Sequence, residues 1–260
     1  EFLEQQFGVK WDWDAFWKNA EMYNESSRCM IEKWDVNCTE HPQVCGAALA
    51  LQREYEFMAA ACMDKFMLKT DRRVTKMMLK GYEQDKAANA PQPKYRCLVW
   101  ACPAHYYTNF TYWTQHCWGV TCVNDMEAML SYQPITIGDK EQALADLVRC
   151  YEKMMMRSHT NGGYVNLLDE CWKMCEKFHT NIVIMYDHVS CKNVGGLHGL
   201  FEDQARERGI HLIWIPHDVM DPRTVSRREM REAFSQYMVT VLNEKPLDPT
   251  LLDYEDTLSW

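Results

Sequence analysis

The stretch Asn181-Ile182-Val183-Ile184-Met185-Tyr186, followed at once by Asp187-His188-Val189-Ser190-Cys191-Lys192-Asn193-Val194-Gly195-Gly196, decides the fold. An unbroken apolar run that ends in a polar, glycine-bearing loop reads as a strand buried on both faces, as in a parallel sheet covered by helices. Outward from it, Arg96 to Ala101, Gly119 to Asn124 and His211 to Ile215 have the same character and complete a set of four strands. Helix-length segments separate them. Tyr106 to Cys117 links the first pair, Lys140 to Arg157 and Val165 to Phe178 the second, and Leu197 to Arg208 the third, with Gly209 placed as a C-terminal cap. A last helix is expected from Ser226 to Leu242.

Before Lys94 the rhythm is helical throughout. Trp11, Phe16, Ala20 and Tyr23 recur at three- to five-residue steps, with Asp12 and Asp14 near the start where acids suit the helix dipole. Helices are expected over Asp14 to Trp34, Gly46 to Met67 and Asp71 to Asp85, ended by Ala90-Pro91-Gln92-Pro93. The expected organisation is therefore an α/β protein of flavodoxin-like type: a helical segment over 1–93, a four-stranded parallel sheet flanked by helices over 94–245, and a tail over 246–260.

With 47% apolar and 25% charged residues over 260 positions, the chain belongs with soluble globular proteins. No window approaches the roughly 18 uninterrupted apolar residues of a membrane span. The sequence opens on Glu1 with no basic start and apolar stretch, which gives the expectation of no secretory signal, a fragment or processed product, and a cytoplasmic location. A net charge of −9 has the wrong sign for binding a phosphate backbone, so nucleic acid is not an expected partner. The run Arg223, Arg227, Arg228, Arg231 is interrupted by Asp221, Glu229 and Glu232 and reads as a solvated helix start.

Twelve cysteines without one Cys-x-x-Cys pair argue against zinc ribbons and ferredoxin-type runs. Beside 17 methionines, most of these thiols read as small apolar fillers in a reducing interior. Cys171 and Cys175 share a helix face, and core packing is the favoured reading for them. Cys191 differs, because it lies in a polar loop between a buried strand and a helix, where Lys192 and the helix start would favour a thiolate. It is a metal ligand or nucleophile on one reading and structural on the other. Cys102 has a similar place after the first strand, but Pro103 follows it and no cation adjoins, so a filler role is the favoured reading for it.

In open parallel sheets ligands collect beyond the carboxyl ends of the strands. Four segments must meet there: Cys102-Pro103-Ala104-His105, Asn124-Asp125-Met126-Glu127, Asp187 through Gly196, and Pro216-His217-Asp218. Asn124, Asp125 and His105 are expected to line a substrate chamber, with His188 and His217 as the proton-transfer groups; His198 is a further candidate. Gly195-Gly196 offers amides to an anion, yet neither a dinucleotide fingerprint nor an ATP phosphate loop is present, which assigns any ATP chemistry to a partner.

Three stretches then carry a resemblance: Asp187 through Lys192, Gly199-Leu200-Phe201-Glu202-Asp203-Gln204, and His217 through Ser226 with Arg231-Glu232-Ala233-Phe234. Together they resemble the carboxy-terminal part of the 2-hydroxyacyl-CoA dehydratase and benzoyl-CoA reductase family. Trp11 through Asp14, Asn24 through Arg28, and Gly119 through Asp125 also fit its pattern. The resemblance implies one of two homologous subunits carrying cysteine-held iron–sulfur clusters of the [4Fe–4S] type. It further implies an acyl-CoA substrate, an ATP-hydrolysing activator with its own cluster, and a ferredoxin-type donor. One family cluster ligand falls at the position of Cys191. Others come from a preceding domain that these residues do not include, and whether Cys102, Cys117 or Cys122 replaces one stays open.

Of the two branches, one removes water from 2-hydroxyacyl-CoA and the other reduces the ring of benzoyl-CoA. Asp221 through Arg228 and the aromatics Trp100, Tyr106, Tyr107 and Trp214 near the sheet edge lean the reading to the reductase. A non-catalytic partner subunit, its thiols all filler, is the alternative from another class.

Overall fold

The computed structural model describes residues 2–58, 65–128, 133–153 and 155–254. Four strands, β1 (Tyr95–Trp100), β2 (Val120–Asp125), β3 (Ile182–His188) and β4 (His211–His217), form one sheet in the order β2-β1-β3-β4. Every neighbouring pair is parallel. The two central strands are the most apolar, as strands covered on both faces must be: Leu98, Val99 and Trp100 of β1 and Ile182 through Met185 of β3 are wholly buried. The edge strand β4 tolerates the exposed Pro216, which a central strand would not.

β3 and β4 each run two residues beyond their expected ends, because Asp187 pairs with Pro216 and His188 with His217. The ladder is made by backbone groups and continues as long as both partners stay extended, whatever their side chains. Polarity alone marks these positions as loop.

Ten α-helices are described: α1 (Phe2–Phe7), α2 (Trp13–Cys38), α3 (Gly46–Met58), α4 (Lys65–Ala88), α5 (Phe110–Trp118), α6 (Lys140–Lys153), α7 (Met155–Lys177), α8 (Lys192–Gly195), α9 (His198–Arg208) and α10 (Arg227–Thr240). Asp12 caps α2 by accepting from the Ala15 amide at 2.9 Å, and Ser226 with Glu229 forms a capping box on α10. Gly209 ends α9 at φ +66°, the left-handed turn its sequence position implied. The helix expected over Tyr106 to Cys117 instead starts as a 3-10 turn at His105–Tyr107 and resumes as α5. Within α7 the backbone departs from helical geometry at Gly163. Cys62, the stretch joining α3 to α4 and the last six residues of the tail lie outside the described residues.

Helices α5, α7, α9 and α10 cover the sheet, and α3 packs on β1 and β2. Gly46 permits this contact, since a Cβ there would stand 2.5 Å from Asn124 Cα. Asn37 of α2 donates to the Val123 carbonyl at 2.9 Å, and Arg96 of β1 donates to the carbonyls of Thr39 (2.8 Å) and Phe178 (2.9 Å). Between α2 and α4 the buried Lys33–Asp71 ion pair is completed by Ser26 and Gln52, which both donate to the Asp71 carboxylate. Such completion is what makes a buried pair tolerable.

Candidate functional site

Strand order places the site. β2 lies on one side of β1 while β3 and β4 lie on the other, so the connections diverge and leave a crevice beyond the carboxyl ends of β1 and β3. A cavity of about 370 Å³ occupies that crevice. Trp100 and Cys102 reach it from β1, Tyr186 and His188 from β3, and Ser190, Cys191 and Asn193 from the loop and α8. Met126, Leu167, Val194 and Val219 close it with apolar surface.

Cys191 is half-buried at the start of α8. Its amide donates to the His188 carbonyl at 2.8 Å, and its own carbonyl accepts from Gly195 at 3.1 Å. The Gly195 and Gly196 amides are thereby taken up within the turn, which answers the expectation that they meet an anion. His188 Nδ1 accepts from the Ser190 amide at 3.0 Å, so the neutral ring carries its proton on Nε2. The ring meets His217 edge-on at 5.4 Å. His217 itself is fully buried, against Tyr186 at 5.0 Å. Burial, reinforced by the charge of His188, holds its pKa down to about 4. It is therefore neutral at pH 7 and resists protonation there.

The remaining expected residues divide between two places. His105 and Asp125 line a second hollow of about 20 Å³, shared with Glu127 and Tyr107, with room for little more than one water molecule. Asp125 Oδ1 accepts from the Glu127 amide at 2.9 Å. Asn124 is wholly buried beneath Gly46 and reaches neither hollow. Asp187 pairs with His198 at 3.4 Å, and His198 stacks on Trp214, so this pair belongs to the packing of α9 on β3 and β4.

Of the aromatics expected at the edge, Trp100 lines the larger cavity. Tyr106 donates to the Val225 carbonyl at 2.5 Å, Tyr107 accepts from Arg231 at 3.0 Å, and Trp214 donates to Glu202 at 2.6 Å. Ser190, Asn193 and Met126 lie in segments expected to meet at this edge but carried no assigned role, and Leu167 was not expected there. Ser190 and Asn193 flank Cys191 in the loop already singled out, whereas Leu167 comes from α7 and had no local signal.

The thiols separate cleanly. Cys45, Cys97, Cys122, Cys171 and Cys175 are buried in the core, as the filler reading held for most of them. Burial pushes the Cys117 thiol up to about 11. Among the described cysteines, Cys102 and Cys191 are the two that line the cavity.

A doubly wound parallel sheet with a cysteine-bearing cavity at its switch point defines the chain as an α/β protein of the open-sheet class. The chain belongs to the family described as 2-hydroxyglutaryl-CoA dehydratase, D-component, whose model matches residues 1–238. No curated protein matches the chain. The resemblance read from the sequence is thus borne out at the level of the family, a component of a heteromeric, dehydratase-like complex associated with iron–sulfur clusters. Such clusters are held by thiolates. Cys191, half-buried on an otherwise largely apolar wall, fits as one of them. No helix among the described residues is long and apolar enough to cross a membrane.

Proposed function

We propose that this chain is a cluster-holding subunit of a 2-hydroxyacyl-CoA dehydratase, with Cys191 as an iron ligand of a [4Fe–4S] cluster and the switch-point cavity as the seat of the acyl group. The observation that carries this reading is the placement of Cys191 and His188 on one cavity wall, in a chain of this family. When bound, the cluster supplies single electrons at low potential.

The chain's own residues then have distinct tasks. His188 donates a hydrogen bond from its Nε2–H to a leaving hydroxyl, and His217, neutral behind it, holds that ring in place by edge-on contact. Ser190 and Asn193 hydrogen-bond the hydroxyl or the thioester oxygen. Trp100, Tyr186 and Leu167 exclude water from the reacting carbon. His105 and Asp125 line the smaller hollow, where a single water or one substrate oxygen fits, and Asn124 supports that wall from beneath. The sister subunit, the ATP-hydrolysing activator and the ferredoxin-type donor belong to this proposal as partners, and cytoplasmic location goes with them.

Ring reduction of benzoyl-CoA is the second reading, favoured by the flat apolar surface of Trp100 beside Tyr186. Dehydration is preferred because three of the four aromatics that favoured the reductase make their polar contacts away from this cavity, while Ser190 and Asn193 offer hydroxyl-binding groups on it.

Iron and sulfide analysis of the anaerobically purified complex tests the assignment. Cys191→Ser should lose cluster iron and activity together; full iron content in that variant overturns the proposal. Incubation of the wild-type complex with a 2-hydroxyacyl-CoA and, separately, with benzoyl-CoA separates the two readings.

A further inference from the structure

We infer that Cys102, His105 and Glu127 form a mononuclear Zn²⁺ site on the wall between the two hollows, separate from Cys191. This inference does not depend on the cluster reading above. It rests on three chemically different ligand side chains that parallel pairing brings to one point.

β1 and β2 are neighbours with Val99 opposite Asp125, so the residues just past each strand emerge side by side. Past β1 the backbone turns through Ala101 at φ +66°, a conformation that non-glycine residues seldom adopt, and then presents Cys102. His105 follows three residues later on its 3-10 turn, pinned by its amide donating to the Val219 carbonyl at 2.9 Å. Past β2 the chain enters the turn Met126–Ala128, which carries Glu127.

Cys102 Sγ and His105 Nε2 stand 3.8 Å apart. With Zn–S near ~2.3 Å and Zn–N near ~2.0 Å, a tetrahedral ion spans about 3.5 Å between those ligands. A Glu127 carboxylate oxygen completes a triangle with no side longer than 4.8 Å. Thiolate with imidazole selects a borderline-soft ion over Mg²⁺ or Ca²⁺. Three protein ligands leave the fourth position to water or a substrate oxygen, the pattern of zinc sites that act as Lewis acids. Because Cys102 lines the larger cavity and His105 and Glu127 the smaller, that position lies between the two hollows.

The test uses the full chain, freed of metal with chelator and titrated with Zn²⁺ by chelator competition and with Co²⁺ by absorbance. One ion per chain and a thiolate-to-cobalt charge-transfer band are expected. Cys102→Ser should abolish the band and weaken Zn²⁺ binding by about tenfold or more, and His105→Ala and Glu127→Gln should weaken it comparably. Cys191→Ser should change neither. Absence of stoichiometric binding, or binding indifferent to all three substitutions, overturns the site. Binding that needs Cys102 and Cys191 but not His105 or Glu127 also overturns it, and moves Cys102 to the cluster. Should Cys102→Ser fail to fold, alkylation of the wild-type chain decides instead. Zn²⁺ should protect Cys102 and leave Cys191 reactive; equal labelling of Cys102 with and without Zn²⁺ refutes the assignment.

Discussion

The middle of the sheet and its carboxyl edge use the same residue type to opposite ends. In the middle, Cys97 of β1 lies in register with Cys122 of β2, and Cys45 reaches them from the start of α3. All three are buried, and contact with Cys122 followed by burial pushes the Cys45 thiol up. Such thiols act as small apolar side chains. At the edge, Cys102 and Cys191 are half-buried on a cavity wall among histidines. What separates the two groups is distance along a strand: both faces of the middle must be dry, whereas the carboxyl ends open onto loops where polar groups keep access to solvent and ligands.

The sharpest way to break this contrast is to crowd each region. Gly46→Val sets a side chain against the Asn124 backbone, with the Cβ alone at 2.5 Å from a main-chain atom that cannot swing aside. A loss of about 3 kcal/mol or more is expected in urea unfolding. Gly195, in the cavity loop, has open space where a methyl group would stand, with nothing within 4 Å, so Gly195→Ala should change stability by less than about 0.5 kcal/mol. Equal losses at the two sites would mean that the edge is as tightly packed as the middle.

A milder change probes the thiols themselves. Cys122→Ser places a hydroxyl where the thiol now faces the Asn124 carbonyl at 3.3 Å in a fully buried site, and should cost about 1–3 kcal/mol. Cys191→Ser should stay within about 0.5 kcal/mol of the wild-type chain when both are free of metal, since the half-buried position can hydrate a hydroxyl. Denaturant midpoints of the two variants check the pair. A large loss at Cys191 would make it a packing residue and remove the reason to treat the edge thiols differently.

The part of this contrast that is legible in the sequence is the part set by local pattern. Ile182 through Tyr186 could hardly be anything but a buried strand, and Cys191 stands out because its neighbours are polar and glycine-rich. Strand order is different, because no spacing states that β1 lies between β2 and β3, and the switch point exists only once that order is fixed. The grouping of Cys102, His105 and Glu127 depends on the same adjacency and on a left-handed turn at Ala101, a residue with no sequence preference for it. Asn124 reads as a strand end on the ligand side, yet it is buried and reaches neither hollow. That α3 covers it through Gly46 is a contact across the fold, which periodicity within either element does not encode.

A backbone change without new side-chain contacts probes the turn that delivers Cys102 to the edge. Ala101 holds φ +66° with a Cβ, at a cost of about 1–2 kcal/mol relative to an ordinary conformation. Ala101→Gly removes that cost but gives the unfolded chain more freedom, worth about 0.4–1 kcal/mol in the other direction. The net expectation is a gain of about 0.5–1 kcal/mol, read as a higher denaturant midpoint at unchanged slope. Gly209 supplies the reciprocal case, since it already occupies φ +66° at the end of α9 with nothing within 4 Å of a Cβ. Gly209→Ala should therefore lose about 1 kcal/mol through strain alone. If Ala101→Gly instead lowers the midpoint, the alanine methyl contributes more by packing at the cavity wall than its backbone conformation costs, and the turn that presents Cys102 is held by side-chain contacts rather than in spite of them.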